Sequence, residues 1–260
     1  MNTLLNRVYA DYLMPSRLGE YAALLRAAAE AGYAQISVRS FFRDLNGSSL
    51  PGRTLVHRHD IDSDLRTARK MFEIEARHGV QASYYFRLRT LDYGFMREIE
   101  AAGSEASYHY EEVADFAKRH RIRKSDELRR RFPEIRELFV RNVGQIVTRM
   151  GAPLATVASH GDFANRRLKV INHELLRDVA LRTRCGIECE SYDVELLRGF
   201  DLYISDRKYP VYYHPVAPFD ALGHYGRICL LTHPVQWETN WYESTRCNLR
   251  RLLEEMAWRV

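Results

Sequence analysis

Cysteine is scarce in this chain and long apolar runs are missing. Only four cysteines occur among 260 residues, at Cys185, Cys189, Cys229 and Cys247, and no two form a C-x-x-C pair. A chain of this length buries enough apolar surface to need no disulfide staples, so a reducing, cytoplasmic compartment is expected. No stretch approaches the ~18 consecutive apolar residues of a membrane span. The opening MNTLLNRVYADYLMPSR is interrupted by polar and acidic side chains and lacks the apolar centre of a secretory signal. Low-complexity tracts, tandem repeats and long polar linkers are also absent.

What is present is an ordinary globular mix, 46% hydrophobic and 28% charged. The length suits one α/β barrel, which often runs to ~250 residues. The formal charge is +5 and the pI is near 9.0. Much of the excess lies in residues 118–131 (KRHRIRKSDELRRR). Aromatics do not interleave there, as a single-strand nucleic-acid groove would require. Glu127, Glu134 and Glu137 lie in or just after the run, which therefore reads as the solvated face of a helix, and no nucleic-acid partner is expected. An anionic substrate or phosphate-bearing glycan is compatible with the charge.

Strand-like and helix-like runs alternate along the chain, the pattern of a parallel α/β sheet or barrel. Strands are expected at 54–61, 81–88, 105–108, 154–159, 200–205 and 227–232. Leu18, Tyr21, Leu24, Leu25 and Ala28 form one helical face stopped by Gly32; Leu65, Ala68, Phe72 and Ala76 form another, closed by Gly79. Further helices are expected at 95–102, from Ile135 to Met150, at 168–181 and at 241–258. The expected organisation is a single domain over 1–260, with a helical lead-in over about 1–50.

Ionisable residues recur at the strand ends: Asp60 and Asp62, His109, His160, Asp206 and His233. In a βα barrel these ends converge on one mouth, so distant residues can share a site. Alternation along 57–62 (HRHDID) puts Arg58, Asp60 and Asp62 on one face and His57 and His59 on the other. Two carboxylates at i and i+2 can divide labour, one binding a cation and one taking a proton from water. Asp62 or Ser63 could equally cap the helix that begins near Leu65. His109 and His160, with one carboxylate, would make the three-ligand, open-position set of a catalytic zinc, which lowers the pKa of its water toward ~7. Gly161 permits close backbone approach, for a turn or for a substrate. Pro234 fixes the loop after His233, which suits a general acid.

HRHDID, the stretch from Gly79 to Phe86, SYHYE, ASHGD, YISD and LLTHP, in this order, resemble the polysaccharide deacetylase superfamily (carbohydrate esterase family 4-like). The similarity is to its divergent intracellular branch with an R-H-D-x-D first motif, and it extends over roughly residues 15–258. It implies a distorted (β/α)7 barrel, a divalent metal, usually Zn2+, and hydrolysis of an N-acetyl or related acyl group from an amino sugar or glycoconjugate. It implies Asp60 as the base and Asp62 as a metal ligand. Better-known members have these aspartates adjacent; here Ile61 separates them. Their second histidine would fall at Val113, so the missing nitrogen ligand is assigned to His160 beside His109. Arg58 or Arg87 takes the place of an arginine that orients the base.

In the mechanism this implies, Asp60 accepts a proton from the metal-activated water. His233 protonates the leaving amine and Asp206 orients or tunes His233. A deformylase or other C–N amide hydrolase on the same scaffold is the alternative enzyme. A carbohydrate-binding barrel without turnover is the alternative outside enzymes, and a basic nucleic-acid binder ranks third. Cys185 and Cys189 read as buried thiols. Trp237 and Trp241 suit either sugar stacking or core packing, as do Tyr192, Tyr203, Tyr212 and Tyr213. Oligomeric state is not indicated.

Overall fold

The run Thr54–Ile61 is buried at every position, as a strand covered on both faces must be. In the computed structural model, which describes residues 3–47 and 52–259, it is the second of nine strands. These are β1 (Ala34–Ser37), β2 (Thr54–Ile61), β3 (Ser83–Phe86), β4 (Glu105–Tyr110), β5 (Thr156–Ser159), β6 (Cys189–Glu190), β7 (Leu202–Asp206), β8 (Tyr213–His214) and β9 (Arg227–Thr232). The sheet order is β6-β5-β4-β3-β2-β9-β7-β8, with β1 beside the first half of β2. The seven strands from β6 to β7 in that order are parallel neighbours, the core of a distorted (β/α)7 barrel. Among the described residues only β8 runs antiparallel, against β7.

The sheet curls on itself. Arg58 on β2 reaches Tyr203 on β7 and packs over Tyr192 just after β6, although neither strand neighbours β2. Val56, Tyr85, Ala158, Cys189 and Cys229, from five strands, meet in one cluster inside the curl. The opposite face carries helices. Ile61, Tyr84 and Tyr108 join Ala68 and Phe72 of the helix Leu65–His78, Phe95 and Ile99 of Tyr93–Ala101, and Phe139 of Phe132–Met150 in the largest core. Gly79 closes the first of these helices at φ 67°, where a side chain would be strained.

Three expectations change. The lead-in is not purely helical, because β1 pairs with β2; three half-buried residues and one buried residue offer too little alternation to read as a strand. The expected helix at 168–181 is three pieces, Phe163–Leu168, a 3-10 turn Asn172–Arg177, and Val179–Cys185. Local side-chain bonds break it. Asn172 accepts from the Ala114 N–H and donates to the His160 carbonyl, while Asp178 caps the last piece through the Leu181 N–H. Finally, the cap of Leu65–His78 is Asp64, which accepts from the Thr67 N–H, so neither Asp62 nor Ser63 performs that role. Among the described residues, no helix is long and apolar enough to cross a membrane.

Candidate active site

Asp62 follows β2, His109 lies within β4, and His160 follows β5. Curling brings one donor atom from each within 4.8 Å of the others. Asp62 Oδ1 is 2.9 Å from His160 Nδ1 and 3.5 Å from His109 Nε2, and the two nitrogens are 3.2 Å apart. His109 Nδ1 lies 3.0 Å from the Ala158 carbonyl, an acceptor only. Its proton therefore sits on Nδ1, and the Nε2 lone pair faces the other two atoms. Asp62 Oδ1 is buried and makes no hydrogen bond among the described residues. A bare carboxylate oxygen between two imidazole nitrogens is an arrangement that a divalent cation would satisfy.

The charges agree with that geometry. Burial opposes ionisation of Asp62, but His160, His109 and His233 together hold it well below the usual carboxylate range. Burial pushes His160 below the ordinary histidine value, with Asp62 beside it opposing.

Asp60 stands next to this set. Its two oxygens accept a fork from Arg58, Nε to Oδ1 and Nη2 to Oδ2, both at 2.9 Å. Asp60 Oδ2 is also 3.5 Å from His109 Nε2. Burial favours the neutral acid, yet Arg58 and then His109 hold Asp60 below its ordinary value. Arg58 is itself fixed, with its guanidinium carbon 4.5 Å from the Tyr192 ring and Nη1 3.2 Å from the Tyr203 hydroxyl. Of the two arginines expected near the base, Arg58 holds Asp60 and Arg87 forks onto Glu111 instead.

Asp206 ends β7 and His233 follows β9. The carboxylate takes the His233 ring Nδ1 and the backbone N–H, each at 2.7 Å. A third bond comes from Trp237 Nε1 at 3.1 Å. Trp237 is fully buried against Tyr21, so it supports Asp206 from the core and offers no stacking surface. Trp241 is exposed and donates to the Tyr12 carbonyl. Tyr213 pairs with Glu20 and Arg17, and Tyr212 lies under Arg17. Cys189 and Cys229 are buried free thiols, while Cys185 is half-buried.

Two carboxylates near His160 escaped the sequence reading. Glu111, His160 and Asp162 form a second set of donor atoms within 4.8 Å. Both acids are already committed, Glu111 to Arg87 and Asp162 to Lys118 at 3.0 Å and the Ala164 N–H at 2.8 Å. Their spacing, two residues beyond His109 and His160, was the available signal. Lys118 likewise departs from the solvated face expected for 118–131. It is mostly buried between Asp115, Asp162 and Glu254.

Asp62, His160 and His233 line one cavity of about 280 Å³. A second, of about 390 Å³, adjoins it across His160 and Gly161 and includes Tyr192. A Cβ on Gly161 would meet nothing within 4 Å, and its φ is ordinary. Neither backbone strain nor crowding therefore requires glycine there.

No family model and no curated protein matches this chain. A solved structure described as Streptococcus pyogenes deacetylase PplD in complex with acetate is similar over 59% of this chain and 69% of that one, with a TM-score of 0.39 and 12% identity. At that similarity nothing about activity passes to this chain.

Proposed function

We propose that this protein is a metal-dependent hydrolase that removes an N-acetyl or similar acyl group from an amino sugar or glycoconjugate. The observation that carries this reading is the unbonded Asp62 Oδ1, buried between His109 Nε2 and His160 Nδ1. Asp62, His109 and His160 would hold a divalent cation, zinc by their nitrogen-rich donor set, and that ion would supply the Lewis acidity that makes water acidic near neutral pH. Asp60, beside His109, receives the proton given up by the attacking water. The Arg58 fork keeps that carboxylate ionised and aimed. His233 carries a proton on the opposite side of the exchange and delivers it to the departing amine, whose unprotonated anion leaves poorly. Asp206 keeps that proton in place.

The test is metal quantification together with acyl release. Purified wild type should hold about one divalent ion per chain, and His109→Ala and His160→Ala should lose it. Acetate should be released from N-acetylglucosamine oligomers or conjugates; release of formate alone from formylated amines would point to the deformylase reading. Full metal retention in both variants would overturn the ligand set. A metal-loaded wild type that binds sugar but releases no acyl group would favour a binding barrel.

A further inference from the structure

We infer that the cleft over the proposed metal site takes an anionic group, a phosphate ester or diester, carried close to the acyl amide of the substrate. This rests on the hydrolase reading for the amide but not for the anion. The cleft is lined by seven cationic side chains and four carboxylates. Three of those carboxylates are already engaged, Asp11 by Lys208 and Arg7, and Asp162 and Glu254 by Lys118; the fourth is Asp62. Arg89, Arg166 and Arg250 also line the cleft, and none has a carboxylate partner among the described residues.

Arg89 is the most informative of the three. It is partly buried, and its Nε and Nη2 both donate to the backbone carbonyl of Asp62, at 3.2 and 3.0 Å. Its neighbour Thr90 donates to the Ile61 carbonyl at 2.8 Å, which pins the turn to the end of β2. A guanidinium is thus held beside the reacting centre with a neutral carbonyl as its hydrogen-bond partner, while Glu111 and Asp62 act on it only through space and Arg87 opposes its charge. A partly desolvated cation with no anion in direct contact is unfavourable, and a bound phosphate would complete it with charge-assisted hydrogen bonds. Among the described residues Nη1 makes no hydrogen bond, so it is available for that purpose.

Phosphate could reach this cleft on a nucleotide-linked or a lipid-linked sugar. The helix Trp241–Arg259, which contributes Arg250, also exposes Leu249, Leu252, Leu253 and Met256 at helical spacing, so both sources are tested. The experiment is calorimetric titration of the full, metal-loaded chain with four probes. These are N-acetylglucosamine, its 1-phosphate, its uridine diphosphate conjugate, and its conjugate with a short-chain prenyl phosphate. At least one phosphorylated probe should bind about tenfold or more tightly than the neutral sugar, the worth of one charge-assisted hydrogen bond. The advantage should shrink with salt. It should largely vanish in Arg89→Gln and in the double variant Arg166→Gln/Arg250→Gln, which does not touch Asp62. Arg177→Gln, exposed and outside the cleft, should keep it.

Equal binding of neutral and phosphorylated sugars would overturn the inference. So would a preference untouched in both cleft variants, or one lost equally in Arg177→Gln. The tighter of the two conjugates names the source. Phosphosugar binding without acyl release would sink the hydrolase reading and leave the anion site. Acyl release with no phosphate preference would sink only the anion site.

Discussion

Asp206 grips His233 at two atoms, Oδ1 on the ring Nδ1 and Oδ2 on the backbone N–H, each at 2.7 Å. Burial disfavours a charged imidazole, but the Asp206 charge and hydrogen bond outweigh it and push His233 up to about 9. An acid must carry its proton to act, so the alkaline limb of kcat/KM should fall near pH 9 in the wild type. Asp206→Asn should move that limb down toward the ordinary histidine value of ~6.5. The same pair stabilises the fold below ~6.5, and that contribution is lost as pH rises through about 9. A limb that does not move on substitution would separate Asp206 from the acid.

His233→Ala should lower kcat on an acylamino sugar by about 10²- to 10⁴-fold, the usual worth of a positioned general acid. Metal content should stay close to wild type, while the melting temperature near neutral pH should fall, because the pair with Asp206 is lost. A metal-loaded, stable variant with wild-type turnover would remove His233 from the mechanism. Loss of stability with no loss of rate would assign it to packing.

The two aspartates should separate cleanly. Asp62→Asn is expected to lose the metal, because its Oδ1 is the oxygen between the two imidazoles. Asp60→Asn should retain the metal and lose turnover, because Asp60 is tied to Arg58 beside that set. Elemental analysis and turnover on one preparation of each variant decide this. Metal loss that follows Asp60 would exchange the roles.

His57 faces away from the cleft, with Nε2 3.0 Å from Gln35 Oε1. Burial pushes it down to about 4, with Glu75 only partly opposing. Its folded value therefore lies below the ~6.5 of an unfolded chain. The stability it contributes is present above ~6.5 and lost as pH falls from there through about 4, on the order of 3 kcal/mol in all. Urea unfolding across that range should show the slope, and His57→Gln should flatten it. An unchanged slope would assign the acid sensitivity to other groups.

Glu75 is a fully buried carboxylate that receives His59 Nε2 at 2.7 Å and the hydroxyls of Tyr21 and Tyr84. Removing it strands these donors in the core between the sheet and its helices. Glu75→Ala should cost about 3–5 kcal/mol by urea unfolding. The folded fraction should keep its metal, since none of these atoms belongs to the Asp62 set. A loss below about 1 kcal/mol would mean that water replaces the carboxylate.

Much of the framework is legible in local pattern. Thr54–Ile61 and Arg227–Thr232 read as strands because their residues are β-favouring and apolar enough to be covered on both faces, and the structure gives both with those bounds. The helix closed by Gly79 reads from its apolar spacing and its glycine. The period of two along HRHDID also separates Arg58 and Asp60 from His57 and His59 correctly. These are short-range properties, set by propensity and by which face a side chain must take.

What pairs with those faces depends on the curl of the sheet, which no local period encodes. Strand alternation cannot say that Arg58 rather than Arg87 holds Asp60, because Arg87 forks onto Glu111 in the segment just after β4. It cannot place Trp237 beneath Asp206, since that depends on packing against Tyr21 from the first long helix. Nor can it free Asp62 from capping; Asp64, in a left-handed conformation, takes the cap and leaves Asp62 Oδ1 facing two histidines from distant strands. Chain spacing supplies candidate residues, but closure of β2, β4 and β5 around one point brings the donor atoms within reach of one another.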